Sequence, residues 1–186
     1  MAIFSQEISL SSWDAYEVDG VVTLDGNALN ANTATQYIGF MFQTSIPKYA
    51  TINSATLDVY VTSGSYDDPD TTVYCGTGRT SGFETSLSDV SSQITTSGLS
   101  WIATGIGTGV KTLPELKTIV QERVNQDIYN PILMERISII IKGNNSSSKI
   151  RLRAYDAGGG NYATLTIDYT PVSNVPQRLT RPYLRM

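Results

Sequence analysis

Three aspartates lie close together in the chain, at Asp67, Asp68 and Asp70, with Pro69 among them. Carboxylate oxygens are hard ligands of the kind that Ca²⁺ binds in proteins, which makes this cluster the candidate metal site, with calcium as its ion. An Asp-Asp-Pro-Asp order is also typical of a solvated turn. The spacing lacks the central Gly and distal Glu of an EF-hand loop. Both interpretations stay open, and no other cofactor is expected.

The 186 residues include no histidine, which removes the most common general base and every Ser-His-Asp or Cys-His arrangement. The one cysteine, Cys75, lies in a strand-like pattern. Because a reactive thiol needs a basic neighbour to ionise it, we expect Cys75 in the core. No two carboxylates stand out as the pair that a glycosidase needs. We therefore expect no enzymatic activity and no catalytic residues.

Aromatic side chains offer a second kind of chemistry, because sugar rings stack on flat apolar surfaces that have polar groups nearby. The candidates for such a platform are Trp13, Tyr16, Tyr37, Tyr60 and Tyr66. Tyr60 and Tyr66 are the better glycan or partner contacts, since they fall on the polar side of a strand or in the loop after it. Tyrosine is also favoured in strands and at subunit interfaces, so simple packing is the alternative.

The C-terminal segment from Pro171 to Met186 has a charge opposite to that of the rest of the chain. It carries three arginines and no acidic residue, whereas the whole chain has a net charge of -4. Its three prolines disfavour a regular helix and remove strand donors, which predicts an extended arm. We expect this arm to dock on another subunit through Arg178, Leu179, Arg181, Tyr183, Leu184 and Arg185. A frayed tail is the alternative.

Most of the chain alternates apolar and polar residues with the period of half-buried strands. The predicted inward-facing sets are Ile38, Phe40 and Phe42; Ala55, Leu57, Val59 and Val61; Val73 and Cys75; Ile137, Ile139 and Ile141; Ile150, Leu152 and Ala154; and Ala163, Leu165, Ile167 and Tyr169. Turn residues separate these runs, and no long helix lies between them. The pattern predicts an all-β, antiparallel sandwich.

One segment has the helical period instead, with Leu113, Leu116, Ile119, Val120, Val124 and Ile128 on one side. Thr112 and Glu115 have the spacing of a capping box, and Asn130-Pro131 is a stop signal. The sequence predicts one short helix from Leu113 that closes an end of the sandwich. The glycine-rich run from Gly105 to Thr112 lacks the Gly-Lys pair of a phosphate loop, so we expect a flexible connection there.

Several motifs, in this order along the chain, resemble jelly-roll domains similar to carbohydrate-binding modules, which occur in bacterial surface proteins and in phage structural proteins. They are the strand entry at residues 46–57, Trp101, the helix around Ile119, the strand from Ile137 to Lys142, and the closing segments at residues 153–156 and 163–169. The resemblance implies a jelly-roll β-sandwich over residues 36–170 and places Trp101 in its core. Residues 1–35 are expected to form an N-terminal strand or arm, and residues 171–186 a C-terminal arm.

Two functions fit this combination. The first is a phage virion protein, a capsid decoration or tail-associated subunit that binds other virion proteins and copies of itself. The second is a carbohydrate-binding module or adhesin of a secreted bacterial protein, which would bind cell-surface glycan. The start of the chain does not resemble a secretory signal, which favours the virion over an extracellular location. A sequence pI near 4.7 disfavours binding to nucleic acid, and no apolar run has the ~20 residues of a membrane span.

Overall fold

A computed structural model of the chain describes residues 1–62, 67–78, 81–129 and 136–172, and the side chain of Asp67 lies outside that description. The described residues form two antiparallel β-sheets around a shared hydrophobic core, together with one α-helix. The all-β sandwich predicted from the alternating pattern is therefore confirmed.

The strands that build the two sheets are, in chain order, β1 (Ala2–Glu7), β2 (Asp14–Val18), β3 (Val21–Thr23), β4 (Ala28–Asn30), β5 (Gln36–Gln43), β6 (Thr51–Val61), β7 (Asp67–Asp68), β8 (Asp70–Gly78), β9 (Leu99–Ile102), β10 (Gly109–Thr112), β11 (Arg136–Gly143), β12 (Lys149–Arg153) and β13 (Thr164–Thr170). The helix α1 is Lys117–Asn125. Short 3-10 turns occur at Ser11–Trp13, Ser91–Gln93 and Tyr155–Ala157.

The order of the strands is that of a jelly roll. The first sheet runs β1-β13-β6-β12-β4, with β10 also on β6 and β7 on β12, and the second runs β3-β2-β5-β11-β8-β9. Within them, β1-β13-β6-β10 and β5-β11-β8-β9 form two four-stranded layers. Along these eight strands the chain changes sheet at every step except from β8 to β9, which is the double Greek-key path of a jelly roll.

The inward faces are those that the alternation predicts. Ala55, Leu57, Val59 and Val61 of β6 are buried, and they lie beside Leu165 and Ile167 of β13 in the antiparallel register. The predicted apolar sets of β5, β8, β11 and β12 are buried in the same core, as is Trp101 of β9. Tyr169 packs against the core but is only partly buried, and a register shift lies between it and Asp168.

The second sheet is also covered on its outer side, which the period-2 pattern does not reveal. Gly39 of β5 lies against the ring of Phe83, so close that a Cβ at position 39 would come within 2.4 Å of that ring. Phe83 and Val90 belong to the loop between β8 and β9, and both are buried. This loop acts as a third layer, and β5 and β11 are consequently buried on both faces.

The helix packs against β6 of one sheet and β8 of the other, so it closes the sandwich as predicted. Its bounds differ from the prediction. It begins at Lys117 rather than at Leu113 and ends at Asn125, and Ile128 is exposed rather than part of the apolar stripe. Ile119, Val120 and Val124 are buried.

The predicted capping box is wrong, and the flexible connection predicted from Gly105 to Thr112 is wrong for its second half. Residues 109–112 form β10, which pairs with β6, and the hydroxyl of Thr112 donates to the carboxylate of Asp58 on that strand. Thr112 is therefore a strand residue five positions before the helix. Glu115 accepts a hydrogen bond from the amide of Lys117 but has a second partner on β6.

The segment before Gln36 is part of the sandwich. It supplies β1 and β4 at the two ends of the first sheet, and β3 and β2 at one end of the second. The hydrogen-bonded ladder between β1 and β13 runs from Ala2 opposite Tyr169 to Glu7 opposite Thr164.

Candidate functional site

Asp68 and Asp70 lie at an open cleft of about 520 Å³. The cleft forms where the chain crosses between the sheets, because Asp68 of β7 is opposite Lys149 of β12 and Asp70 of β8 is opposite Ile102 of β9. Buried Pro69 makes the crossing. Two of the three aspartates in the sequence motif therefore line one concave surface. The sequence did not predict its other walls, which include Ile102, Thr104, Ser146 and Lys149.

Asp70 holds the turn between β11 and β12. One of its carboxylate oxygens accepts the side-chain amide of Asn144 at 2.9 Å, and the other accepts that of Asn145 at 2.6 Å. The backbone carbonyl of Asp70 also accepts the backbone amide of Asn144. Both carboxylate oxygens thus have structural partners within the protein, and the amides that they hold belong to a loop more than seventy residues away.

Asp68 has a lighter structural role. Its Oδ1 accepts the backbone amide of Gly105 at 2.7 Å, at the start of the glycine-rich loop before β10. Among the described residues no group of three or more His, Cys, Asp or Glu side chains is arranged to hold a metal ion. The Asp67 side chain lies outside the described part of the chain, so calcium binding by the three aspartates stays a prediction.

Tyr60 is not an open platform, because the guanidinium of Arg153 lies 4.0 Å from the centroid of its ring. Arg153 also donates from Nη1 to the carbonyl of Gly160 at 2.8 Å. That carbonyl belongs to a loop in which Gly158, Gly159 and Gly160 all have positive φ, a backbone region that favours glycine. Arg153 therefore ties the loop to the outer face of β6, and one face of Tyr60 is occupied by a cation.

The other predicted contact residues divide into two groups. Trp13 is buried, which excludes it as a surface platform, while Tyr16 and Tyr37 are partly buried against the core. The second group, Tyr66 with the arm residues Arg178, Leu179, Arg181, Tyr183, Leu184 and Arg185, lies outside the described residues.

The prediction that Cys75 lies in the core is confirmed. Its side chain is fully buried in β8, and burial raises the pKa of the thiol to about 12. A thiol with that pKa is protonated at neutral pH, so it packs as an apolar group.

The feature that sequence reasoning missed is the free edge of β1. The strand is the first in its sheet, and no strand of the described chain pairs with its other side. Ile3 is 75% exposed on it. The run Ala-Ile-Phe-Ser-Gln-Glu is apolar in its first half and polar in its second, so it lacks the apolar–polar alternation that marks a half-buried strand. Its β propensity was the available signal.

No helix in the described ranges is long and apolar enough to cross a membrane. Comparison with known protein families finds no family that matches this chain, and comparison with characterised proteins finds no similar sequence. The likeness to jelly rolls of the carbohydrate-binding-module type therefore remains an inference from the order of the sequence motifs.

Proposed function

We propose that this chain is a non-enzymatic structural subunit of a phage virion, a capsid decoration or tail-associated protein that binds copies of itself and other virion proteins. The observation that carries the proposal is the open edge of β1, described above. A six-residue edge strand presents a row of unpaired backbone groups, and stable proteins cover or blunt such edges.

The other sheet edges provide a comparison within the same molecule. β4 and β3 at the sheet ends are three residues long, and β9 and β10 are four residues long. Short edge strands are a common protection against unwanted pairing. β1 has six residues, and it contains neither proline nor lysine, which are the residues that usually protect an edge. A partner strand from another subunit would satisfy this edge.

Two features of the sequence support assembly as well. The segment from Pro171 to Met186 carries a charge of +3 against -7 for the rest of the chain, so it is attracted to the body of a neighbouring copy. Charged residues make up only 16% of the chain, and Ser, Thr, Asn and Gly fill the polar surface, which suits the tightly packed surfaces of a particle.

The direct test is to locate the protein in particles. An antibody raised against the purified chain should label phage particles that are pelleted from a lysate of infected bacteria. Immunogold electron microscopy detects this label. A variant that lacks residues 175–186 should keep the fold, because the jelly roll closes with β13 at Thr170, and should lose association with particles. Unlabelled particles would contradict the virion proposal.

Carbohydrate binding is the second candidate, and the cleft beside Asp68 and Asp70 is the observation that favours it. The cleft combines an acidic side chain, a lysine and serine hydroxyls with the apolar side chain of Ile102, which is 66% exposed. Sugars bind to such mixed surfaces through hydroxyl hydrogen bonds and C–H contacts. Binding on a glycan array that is lost when Lys149 and Asp68 are both replaced by Ala would favour this function over the first.

A further inference from the structure

The free edge of β1 has a defined set of backbone groups. The amide of Ile8, the residue after the strand, donates to the carbonyl of Ala163 at 2.9 Å. Ile8 and Ala163 are therefore a hydrogen-bonded pair that continues the ladder between β1 and β13. Hydrogen-bonded and non-hydrogen-bonded pairs alternate along an antiparallel ladder. Ala2, Phe4 and Gln6 therefore direct their N–H and C=O groups to β13. Ile3, Ser5 and Glu7 direct theirs to the open side.

We propose that a second copy of this chain occupies the edge, with β1 pairing antiparallel to β1 about a two-fold axis at Ser5. This inference deepens the proposed function by naming the partner and the register at one of its contacts. In this register Ser5 is opposite Ser5 of the second copy, and Ile3 is opposite Glu7. All three outward-directed residues then pair, which gives about six backbone hydrogen bonds.

The register also agrees with the side chains. Residues directly opposite each other in a ladder point to the same side of the sheet, so the exposed residues Ile3, Ser5 and Glu7 of both copies share one face. Phe4 and Gln6, which are half-buried, share the other face. Pairing of β1 with β1 joins the first sheets of the two copies into one continuous sheet, with their outer faces on the same side. No solvent-exposed side chain of β1 has to move into the core.

Electrostatics favours this register over its neighbour. Glu7 is the one charged residue in β1, and its Oε1 accepts the amide of Tyr162. With Glu7 opposite Ile3, the two Glu7 side chains are about 13 Å apart along the strands, which exceeds the screening length at physiological salt. A register with Glu7 opposite Glu7 would place like charges side by side. In that register only one of the three outward-directed residues, Glu7, would form backbone hydrogen bonds with the second copy.

The first test changes one backbone donor and keeps its neighbours. Ser5→Pro removes the outward N–H, and because that N–H does not belong to the β13 ladder, the domain should still fold. Ser5→Ala is the matched control, since both variants lose the hydroxyl contact with Thr166 at 3.0 Å. By analytical ultracentrifugation, the full-length wild type and Ser5→Ala should form dimers, and Ser5→Pro should be monomeric with a cooperative melting transition.

The second test reads the register. The native cysteine is buried, so a cysteine at position 5 is the reactive one in the described chain. Opposite residues of a hydrogen-bonded pair have Cα atoms about 5.5 Å apart, within the range of a disulfide. Ser5→Cys should therefore form a covalent dimer on oxidation. Ile3→Cys alone should not, whereas a mixture of Ile3→Cys and Glu7→Cys should form a heterodimer.

The outcomes separate this inference from the proposed function. If Ser5→Pro dimerises like the wild type, or if Ile3→Cys cross-links to itself as readily as Ser5→Cys, the β1 pairing is wrong. In that case labelling of particles and its loss on removal of residues 175–186 would still support the virion function. A wild type that is monomeric at high concentration overturns the β1 pairing directly. If, in addition, the antibody against the chain failed to label particles, both proposals would be wrong.

Discussion

Glu115 is bonded to the backbone of Ala55, a residue sixty positions earlier, whose amide donates to the Glu115 carboxylate at 2.6 Å. The same carboxylate oxygen accepts the first amide of the helix, that of Lys117, at 3.0 Å. The chain beside it follows the edge of β6, since the amide of Leu116 donates to the carbonyl of Ala55 at 2.8 Å. One exposed side chain thus joins the start of α1 to a central strand of the first sheet.

Replacing Glu115 should test this joint. Glu115→Ala leaves two backbone amides without their acceptor, and we expect a loss of roughly 1–2 kcal/mol in the free energy of unfolding. Glu115→Gln keeps an acceptor oxygen of the same shape and should lose less. Urea denaturation of the three proteins measures the difference. Equal losses in the two variants would mean that the negative charge, rather than the hydrogen bonds, matters at this position.

The joint also explains why the helix start could not be read from the sequence. Thr112 and Glu115 have the spacing of a capping box, but a capping box competes with every other acceptor and donor in reach. Here the side of β6 that faces away from β13 pairs with Thr112 as part of β10, and the amide of Ala55 on that side donates to Glu115. The inward-facing strand residues were predictable because their period needs no knowledge of distant neighbours. Pairings between distant segments are not encoded in any local pattern.

The helix itself should be essential to the core. Ile119 is 1% exposed, between β6 and β8, so Ile119→Asp would bury an unpaired carboxylate and should cost about 3 kcal/mol or more. Ile128→Asp is the matched control, because Ile128 is 62% exposed beyond the helix end. Thermal melts of both variants should show a large loss for the first and little change for the second. Equal losses would contradict the packing of α1.

Asp70 should stabilise the protein without any metal. Its carboxylate holds Asn144 and Asn145, so Asp70→Ala should lower the melting temperature equally with and without a chelator. We expect the wild type to be insensitive to the chelator as well. A chelator-sensitive wild type that becomes insensitive in Asp68→Ala would establish the calcium site instead, since a bound ion stabilises only the folded state.

Asp68 and Asp70 differ in how much of their environment can be predicted from the sequence. That they lie near each other follows from their closeness in the chain, which is visible as a motif. The occupation of Asp70 by Asn144 and Asn145 depends on the turn after β11 reaching the start of β8, which is a consequence of the jelly-roll path. A motif therefore locates polar groups, but tertiary contacts decide whether their oxygens are available to a ligand.

Asp14 is the most perturbed carboxyl of the described sandwich. It is 1% exposed at the start of β2, and its Oδ2 accepts the amide of Tyr155 at 2.7 Å. Burial raises the pKa of Asp14 to about 7, and the nearby charge of Asp156 adds to the increase, while the Tyr155 amide opposes it. In the unfolded chain this pKa returns to about 4. The folded state therefore binds a proton more tightly than the unfolded state.

This difference gives the sign of a pH effect. The Asp14 contribution to stability is complete below about pH 4 and is lost as the pH rises to about 7, because only the folded carboxyl remains protonated in that interval. Asp14→Asn does not titrate and keeps an acceptor for Tyr155, so at pH 8 it should be more stable than the wild type by about 1–3 kcal/mol. Near pH 4 the two should be similar. Urea denaturation across this range measures both curves.

Asp156→Asn, an exposed neighbour, is the control and should retain most of the pH dependence, since burial is the main cause of the raised pKa of Asp14. If Asp14→Asn follows the wild-type curve at every pH, the carboxyl of Asp14 does not carry the effect.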